Sequence, residues 1–413
     1  MNILILTDSF PPEIKSSANL LFELSEDLAE SGHQVTVITG FPKHYINNID
    51  QRYMGKLFLC ERMNKVKVIR LLSISFIRHI PVIRGLDQFL LSVIFFFGGI
   101  SLGKQNIILT YSPPLPLGIS AYLLGKIKKA PFIFNVQDIF PQSVIDLGLL
   151  KSKFLITISE LMEKFIYKKA HYITVHSEGN RENIISKNVN PEKVVTIHNW
   201  VDTDLIRPVK TQDNNFREKN NLKDKFVVSF AGTMGFAQGL EIVVNCAELL
   251  KSYKNILFLL VGDGIKKDGL INKAEDMQLN NIKFLPAQSK KVYPFILYVS
   301  DICLVTLDEK VLTPAVPAKL LNIMASGRPV IASMNLKGDA PKIIKSAKCG
   351  YCVDADDVKG FSEAILKLYD NSTLREDMGK NGRSYAVKYF SRQVCVIKYE
   401  KLFLKTYREN KGF

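Results

Sequence analysis

Short apolar runs alternate with amphipathic stretches along almost the whole chain, and this alternation restricts the fold more than any other feature. Runs at 1–7, 34–39, 106–110, 131–136, 172–175 and 194–198 predict strands, because each is brief, rich in Val, Ile and Phe, and bounded by turn residues. Between the first two lies a helical pattern with Leu20, Leu21, Leu24 and Leu28 on one face, closed by Gly32, which makes a βαβ unit. A polar, charge-mixed stretch over 208–225 interrupts the pattern and reads as a connection between domains. Strand signals resume at 226–230, 256–261, 282–285, 301–305, 329–332 and 351–353, with final helices over about 358–369 and 392–407. The expected fold is α/β, with two doubly wound Rossmann-like domains facing a cleft. Their bounds are 1–207 and 208–390, and a C-terminal helix over 391–413 is expected to pack back onto the first.

Three turns in the second half carry chemistry. In Val316-Pro-Ala-Lys319-Leu-Leu-Asn322-Ile-Met-Ala-Ser-Gly327, Pro317 suits a helix start and Gly327 its end. Lys319 then falls in the first turn, where unpaired backbone N–H groups attract phosphate. The alternative is a surface lysine on an ordinary amphipathic helix. Phe230-Ala-Gly232-Thr-Met-Gly235-Phe-Ala-Gln238-Gly239 joins a strand to a helix, and Leu259-Leu-Val-Gly262-Asp263-Gly264 follows another strand. Glycines there let backbone approach a ligand closely. Each turn alone is a common loop; three in order within one α/β segment predict a site for a nucleoside diphosphate.

Composition narrows the class. With 47% hydrophobic and 23% charged residues the chain reads as folded throughout. Six scattered cysteines and an N-terminal strand in place of a basic leader predict a reducing, cytoplasmic setting. Cys349-Gly-Tyr-Cys352 has metal-ligand spacing, but no second pair follows it, and a turn at a strand edge is the plainer reading. The net charge of +15 favours anionic partners. Between Lys43 and Arg84 nine cations face two anions, and the most apolar run of the chain, Phe89 to Ile100, follows directly. That pairing predicts a protein lying on an anionic bilayer; a buried helix behind a solvated loop is the alternative.

In this layout the chain resembles the retaining sugar-nucleotide glycosyltransferases of family 4, of GT-B architecture. The resemblance rests on Pro11-Pro12-Glu13, the Gly232 to Gly239 turn, Val261-Gly-Asp-Gly264 and the Pro317 to Ala332 block, in that order. Asn135-Val-Gln137-Asp138 and Ile197-His-Asn-Trp200-Val-Asp202 are similar to phrases of the O-antigen, capsule and colanic-acid subgroup. It implies transfer of a sugar, N-acetyl-L-fucosamine from a UDP donor being the narrowest reading, onto a lipid-pyrophosphate-linked saccharide at the inner face of the cytoplasmic membrane. No cofactor and no divalent metal are expected. Donor-binding residues would be Gly232, Thr233, Gln238, Gly262, Asp263, Gly264, Lys319, Leu320, Leu321 and Asn322. Lys319, with the N–H groups of Leu320 and Leu321, would hold the diphosphate. Asp138 would be the first domain's catalytic carboxylate, or else a helix cap, and Glu13, Ser16 and Ser17 would meet the acceptor. His176 and His198, each after a strand, read as structural.

The chain also departs from the family pattern. Many members carry two glutamates eight positions apart where Pro314 and Asn322 stand here, and Arg and Lys where Thr233 and Gln238 stand. Ser16-Ser17 replaces a common Gly-Gly. Two rival readings are a sugar-nucleotide epimerase of the same architecture and a nonenzymatic nucleic-acid-binding protein. The first would need strong cleft carboxylates; the second would need aromatics among the cations, and nucleic acid is not an expected partner.

Overall fold

The computed structural model describes residues 1–13, 15–42, 50–72, 81–146, 148–209, 215–289, 291–312, 314 and 316–412, with backbone alone at 81–84 and 215. The chain folds as two units, Met1–Asn199 with Gln393–Phe413, and Trp200–Arg392.

The strands of the first unit are β1 (Asn2–Leu6), β2 (Gln34–Gly40), β3 (Phe58–Met63), β4 (Val66–Leu71), β5 (Ile107–Ser112), β6 (Phe132–Val136), β7 (Tyr172–Val175) and β8 (Val194–Thr196). They form one sheet in the order β3-β4-β2-β1-β5-β6-β7-β8, parallel except where β3 runs against β4. Central strands such as β5 are buried along their whole length, as parallel strands covered on both faces must be. The helices are α1 (Ser16–Glu30), α2 (Pro81–Ile100), α3 (Leu117–Lys128), α4 (Gln142–Asp146), α5 (Lys153–Lys169) and α6 (Glu178–Ser186). Order reverses between β1 and β5, so ligands of this sheet belong at the carboxyl ends of those strands.

The second unit adds α7 (Asn215–Lys219), β9 (Phe226–Ala231), α8 (Glu241–Leu249), β10 (Ile256–Val261), α9 (Lys267–Asp276), β11 (Ile282–Leu285), α10 (Tyr293–Val299), β12 (Ile302–Thr306), α11 (Ala318–Ala325), β13 (Val330–Ser333), α12 (Asp339–Ala347), β14 (Gly350–Val353), α13 (Val358–Tyr369) and α14 (Ser372–Phe390). Its sheet is wholly parallel in the order β11-β10-β9-β12-β13-β14. Renumbered from its own first strand this is 3-2-1-4-5-6, the dinucleotide-fold order, with its switch point between β9 and β12.

Two boundaries differ from the sequence expectation. Units divide after Asn199, not at 207, because Val201 pairs with Ser391 and the Arg383 guanidinium donates to the carbonyls of Thr203, Ile206 and Ala325. Nor is 208–225 all connection: Leu222 is fully buried, and Arg217 pairs with Asp301 at 3.0 Å. The last helix, α15 (Arg392–Lys411), packs on the first unit from residue 393 onward. There Asn135 donates to the Tyr399 hydroxyl at 2.6 Å, and Glu400 sits 3.0 Å from His33. Cys349 is buried and Cys352 lies within β14, paired to β13; burial holds both thiols up at about 12, so they stay protonated.

The basic stretch before α2 is not simply a solvated loop. Lys43, Arg78 and the Arg84 side chain lie outside the described residues, but β3 and β4 form a hairpin there. Its centre is Arg70, fully buried, whose Nε donates to Glu61. The same guanidinium donates to the carbonyls of Gly40 and Pro11 and lies over the Tyr53 ring. A buried charge needs such partners, and through Pro11 this one fixes the loop after β1.

Candidate active site

In the second unit the loops after β9 and β10 lock together through their backbones. The N–H of Gly232 donates to Val261, Met234 to Asp263 and Lys266 to Met234, at 2.8–3.0 Å. A Cβ on Gly262 would lie 1.9 Å from the Gly232 carbonyl oxygen, and one on Gly264 would lie 2.4 Å from that of Met234. Both glycines also have positive φ, +157 and +150. Loop packing therefore accounts for Gly262 and Gly264 without a ligand. Asp263 accepts from the Gly264 N–H at 2.8 Å, Gln238 accepts from the Gly235 N–H at 3.1 Å, and Thr233 is exposed. The first two close turns, so their local role is structural.

Gly232 differs: a Cβ there would meet the Nζ of Lys319 at 3.2 Å, so its bare Cα leaves space over that ammonium. Lys319 is the second residue of α11, held at the β12 side of the switch point. Part of its stem is accessible, but Nζ is buried and, among the described residues, has no hydrogen-bond partner. The Phe230 ring lies beneath it, 3.6 Å from Nζ to centroid, a favourable contact that does not neutralise the charge. Desolvation lowers its pKa from 10.5 to about 7. A dehydrated cation without a counter-charge, at a helix start whose dipole adds to the field, draws an anion. Leu320 and Leu321 are buried in the core, and the Leu320 N–H donates to the Pro317 carbonyl at 2.9 Å, so that group is already engaged. One turn on, the Asn322 amide lies 3.4 Å from the Tyr293 hydroxyl, whose pKa burial pushes up to about 12.

In the first unit the residues at the carboxyl ends of β1, β5 and β6 meet. The Tyr111 hydroxyl, at the end of β5, is held well above the ordinary phenol range by burial first, then by Asp138 and Asp8, while a hydrogen bond to Ser17 works the other way. Asp138 follows β6; the residue is exposed, yet surrounding protein crowds its carboxyl enough that desolvation raises its pKa. Glu13 is buried and pairs with Lys15 at 3.3 Å; Lys15 also donates to Ser9 at 2.8 Å, and Ser9 to Asp8 at 3.0 Å. Ser16 is exposed at the first turn of α1. His176 and His198 brace the rim: His176 Nε2 lies 3.0 Å from the Gln137 carbonyl, and His198 Nδ1 lies 2.8 Å from that of His176.

The sequence reading missed Tyr111. Its signal was a polar-tipped residue near the end of a buried strand before Pro113-Pro114, which gains meaning only once the sheet order puts β5 at the switch point.

Fold and site define the class: two Rossmann-like units of GT-B type, with an anion-seeking cation at the second unit's switch point. A family model described as Glycosyltransferase Family 4 matches residues 17–205, and one described as Glycosyl transferases group 1 matches residues 211–385. The chain belongs to this group 1, family 4-like family of glycosyltransferases. It is 24% identical over 389 residues to an Escherichia coli K12 protein named for colanic acid biosynthesis, WcaI, covering 91% of this chain and 95% of that one. Pseudomonas aeruginosa WbjE, named as a glycosyltransferase, is 28% identical over 294 residues, 70% and 71% of the two chains. Anabaena HepE, solved in complex with UDP, superposes with a TM-score of 0.73 at 14% identity, covering 98% of this chain and all of that one.

Proposed function

We propose that the protein is a retaining transferase that moves a sugar from a UDP donor onto a lipid-diphosphate-linked saccharide in bacterial surface polysaccharide synthesis, with N-acetyl-L-fucosamine as the narrowest reading of the sugar. The observation that carries the proposal is the buried Lys319 ammonium, unpartnered among the described residues, beneath the opening at Gly232. In the transfer the bond from the anomeric carbon to the diphosphate oxygen breaks as that from the acceptor oxygen forms on the same face. The acceptor proton passes to the departing phosphate. Negative charge grows on the leaving group, where a preorganised cation lowers the barrier most. Asp138 orients the acceptor hydroxyl, and Tyr111 with Ser17 holds that rim in place. No step calls for a divalent metal, so activity is expected to survive a chelator.

Support for a lipid-borne acceptor comes from three neighbouring helices of the first unit. On α2, Leu86, Phe89, Val93, Phe97 and Ile100 are exposed at helical spacing; on α5 so are Phe154, Ile158, Leu161 and Phe165; on α3, Leu123 and Ile127. No helix among the described residues is long and apolar enough to cross a membrane. Apolar stripes bordered by lysines suit a protein lying on an anionic bilayer. The Phe95-Phe96-Phe97 run divides, Phe95 being fully buried in the core and Phe97 65% exposed, so only Phe97 belongs to this surface.

The test is a thermal-shift titration with UDP of wild type and Lys319→Met. Wild type is expected to gain stability with UDP and the variant to lose most of that gain. An equal UDP shift in both would remove Lys319 as the diphosphate anchor and the proposal with it.

A further inference from the structure

At the amino-terminal end of the first unit's strands, where β6 begins, a cavity of about 640 Å³ is lined by Lys126, Lys129, Lys168, Lys169, Lys411 and His171. Helix dipoles explain part of this, since Lys126 closes α3 and Lys168 and Lys169 close α5, where cations are favoured. They do not explain why both helix ends and the end of α15 turn their ammonium groups to one concavity. Among the described residues no carboxylate lines it, and none of the five ammonium groups has an ion-pair partner. The nearest acid in sequence, Glu409, is already engaged by His171 at 3.1 Å and the Tyr172 hydroxyl at 3.0 Å. Tyr122 stands in the wall with Lys169 and Lys126 about its ring, 5.6 and 5.9 Å from centroid, and touches the Phe165 ring at 5.4 Å. Within two turns of the lysines lie exposed Leu123 and Ile127 on α3 and Leu161 and Phe165 on α5.

We propose that this cavity binds the phosphate of an anionic phospholipid headgroup while the adjoining apolar stripes meet the acyl region. Five uncompensated cations in one recess supply the charge complement of a phosphate, and apolar side chains beside them make a bilayer its source. The choice of lipid rests on the membrane reading above; the anion chemistry does not. Within the first unit the site is apart from the acceptor residues, which stand at the carboxyl ends of the strands.

The experiment is sedimentation of the full chain with vesicles of phosphatidylcholine alone or mixed with phosphatidylglycerol. Wild type is compared with Lys126→Gln/Lys129→Gln/Lys169→Gln and with an equal charge loss on the second unit, Lys251→Gln/Lys359→Gln/Lys380→Gln. At about fivefold per lysine, the cavity variant is expected to lose partition onto the mixed vesicles on the order of a hundredfold, with the control within a few-fold of wild type. Equal losses in both variants would overturn the site, since net charge alone would then be acting. Phe154→Ser/Leu161→Ser separates the two ideas: it should weaken binding to both kinds of vesicle. Wild type that sediments with neither overturns the membrane reading and the headgroup site together; a cavity variant matching wild type on mixed vesicles overturns the headgroup site alone. If that variant also loses a stabilisation by inorganic phosphate seen in wild type, the ligand is a soluble phosphate and the lipid assignment falls.

Discussion

Replacing Lys319 by Met removes the ammonium while keeping most of the stem's volume, and the effect on stability should depend on pH in a way no surface lysine could imitate. The folded pKa is about 7 against 10.5 for the free group, a gap of about 3.5 units. At 1.36 kcal/mol per unit the ceiling is about 5 kcal/mol, reduced to about 4 at pH 7 because half the folded population is already neutral there. Between pH 7 and 10.5 the unfolded chain binds more protons than the folded one, so stability rises with pH across that window. Below pH 7 both states are protonated and the cost is constant. Wild type should therefore gain about 3 kcal/mol from pH 7 to 10 relative to Lys319→Met in urea unfolding, and the variant should be the more stable of the two at pH 7. A bound diphosphate reverses the shift by giving the ammonium a partner, so UDP binding at pH 8 should take up close to one proton, about tenfold in affinity being lost per pH unit above 7. Calorimetry in buffers of different ionisation enthalpy reads that proton directly. A wild-type minus variant difference that is flat from pH 7 to 10, with no proton uptake, would refute the reasoning.

Other outcomes follow from the same geometry. Gly262→Ala should cost at least about 3 kcal/mol, since its Cβ would meet backbone at 1.9 Å and φ is +157; Gly269→Ala on α9, with open space around it, should gain about 0.5–1 kcal/mol, and denaturant midpoints compare the two. Glu61→Gln, which leaves the Arg70 guanidinium buried without its counter-charge, should cost about 3 kcal/mol. It should also raise the KM for acceptor more than for donor, because Arg70 carries the Pro11 carbonyl and with it the loop of Glu13. A kinetic split that falls on the donor would show that this loop serves the other substrate. Asp138→Asn should lower kcat by about 10²-fold or more. In wild type kcat should fall on the acid side, with a midpoint above the ordinary 3.8 because the folded pKa is raised, and the variant should lack that limb.

What could be read from the sequence, and what could not, divides along a physical line. Central strands such as Ile107–Ser112 and Ile256–Val261 were legible because both faces of a parallel sheet are covered, which favours predominantly apolar runs. The β3–β4 hairpin was not. Phe58–Met63 alternates exposed and half-buried residues at the sheet edge, and Arg70 sits fully buried inside β4, so a real strand pair looks like a basic loop. Only the tertiary partners Glu61 and Tyr53 show why a guanidinium is tolerated there. The apolar stripe of α5 is hard to read for a related reason: Phe154, Ile158, Leu161 and Phe165 recur at helical spacing, and such spacing ordinarily marks the face turned to the core. The inward face is instead Ile166 and Tyr167 with half-buried Met162. Periodicity shows that a helix has two faces and leaves open which one faces water.

The site shows the same limit at closer range. That Lys319 begins a helix after a strand follows from Pro317 and the apolar run at 329–332, but that its ammonium lacks a partner among the described residues depends on Phe230 and Gly232, some ninety positions upstream by sequence number. β9 and β12 are adjacent because the second sheet reverses its order there, so the residue that ends one strand and the residue that follows the other become neighbours. The first unit repeats the device with β1 and β5, gathering Asp8, Ser17 and Tyr111. A glycine without Cβ and a lysine without counter-charge are each unremarkable alone. Brought together by a strand crossing, they leave an ammonium whose desolvation is relieved only by an incoming anion. The same dehydration that weakens the empty fold thus strengthens its hold on a diphosphate, and a carboxylate placed beside Lys319 would stabilise the fold while weakening that hold.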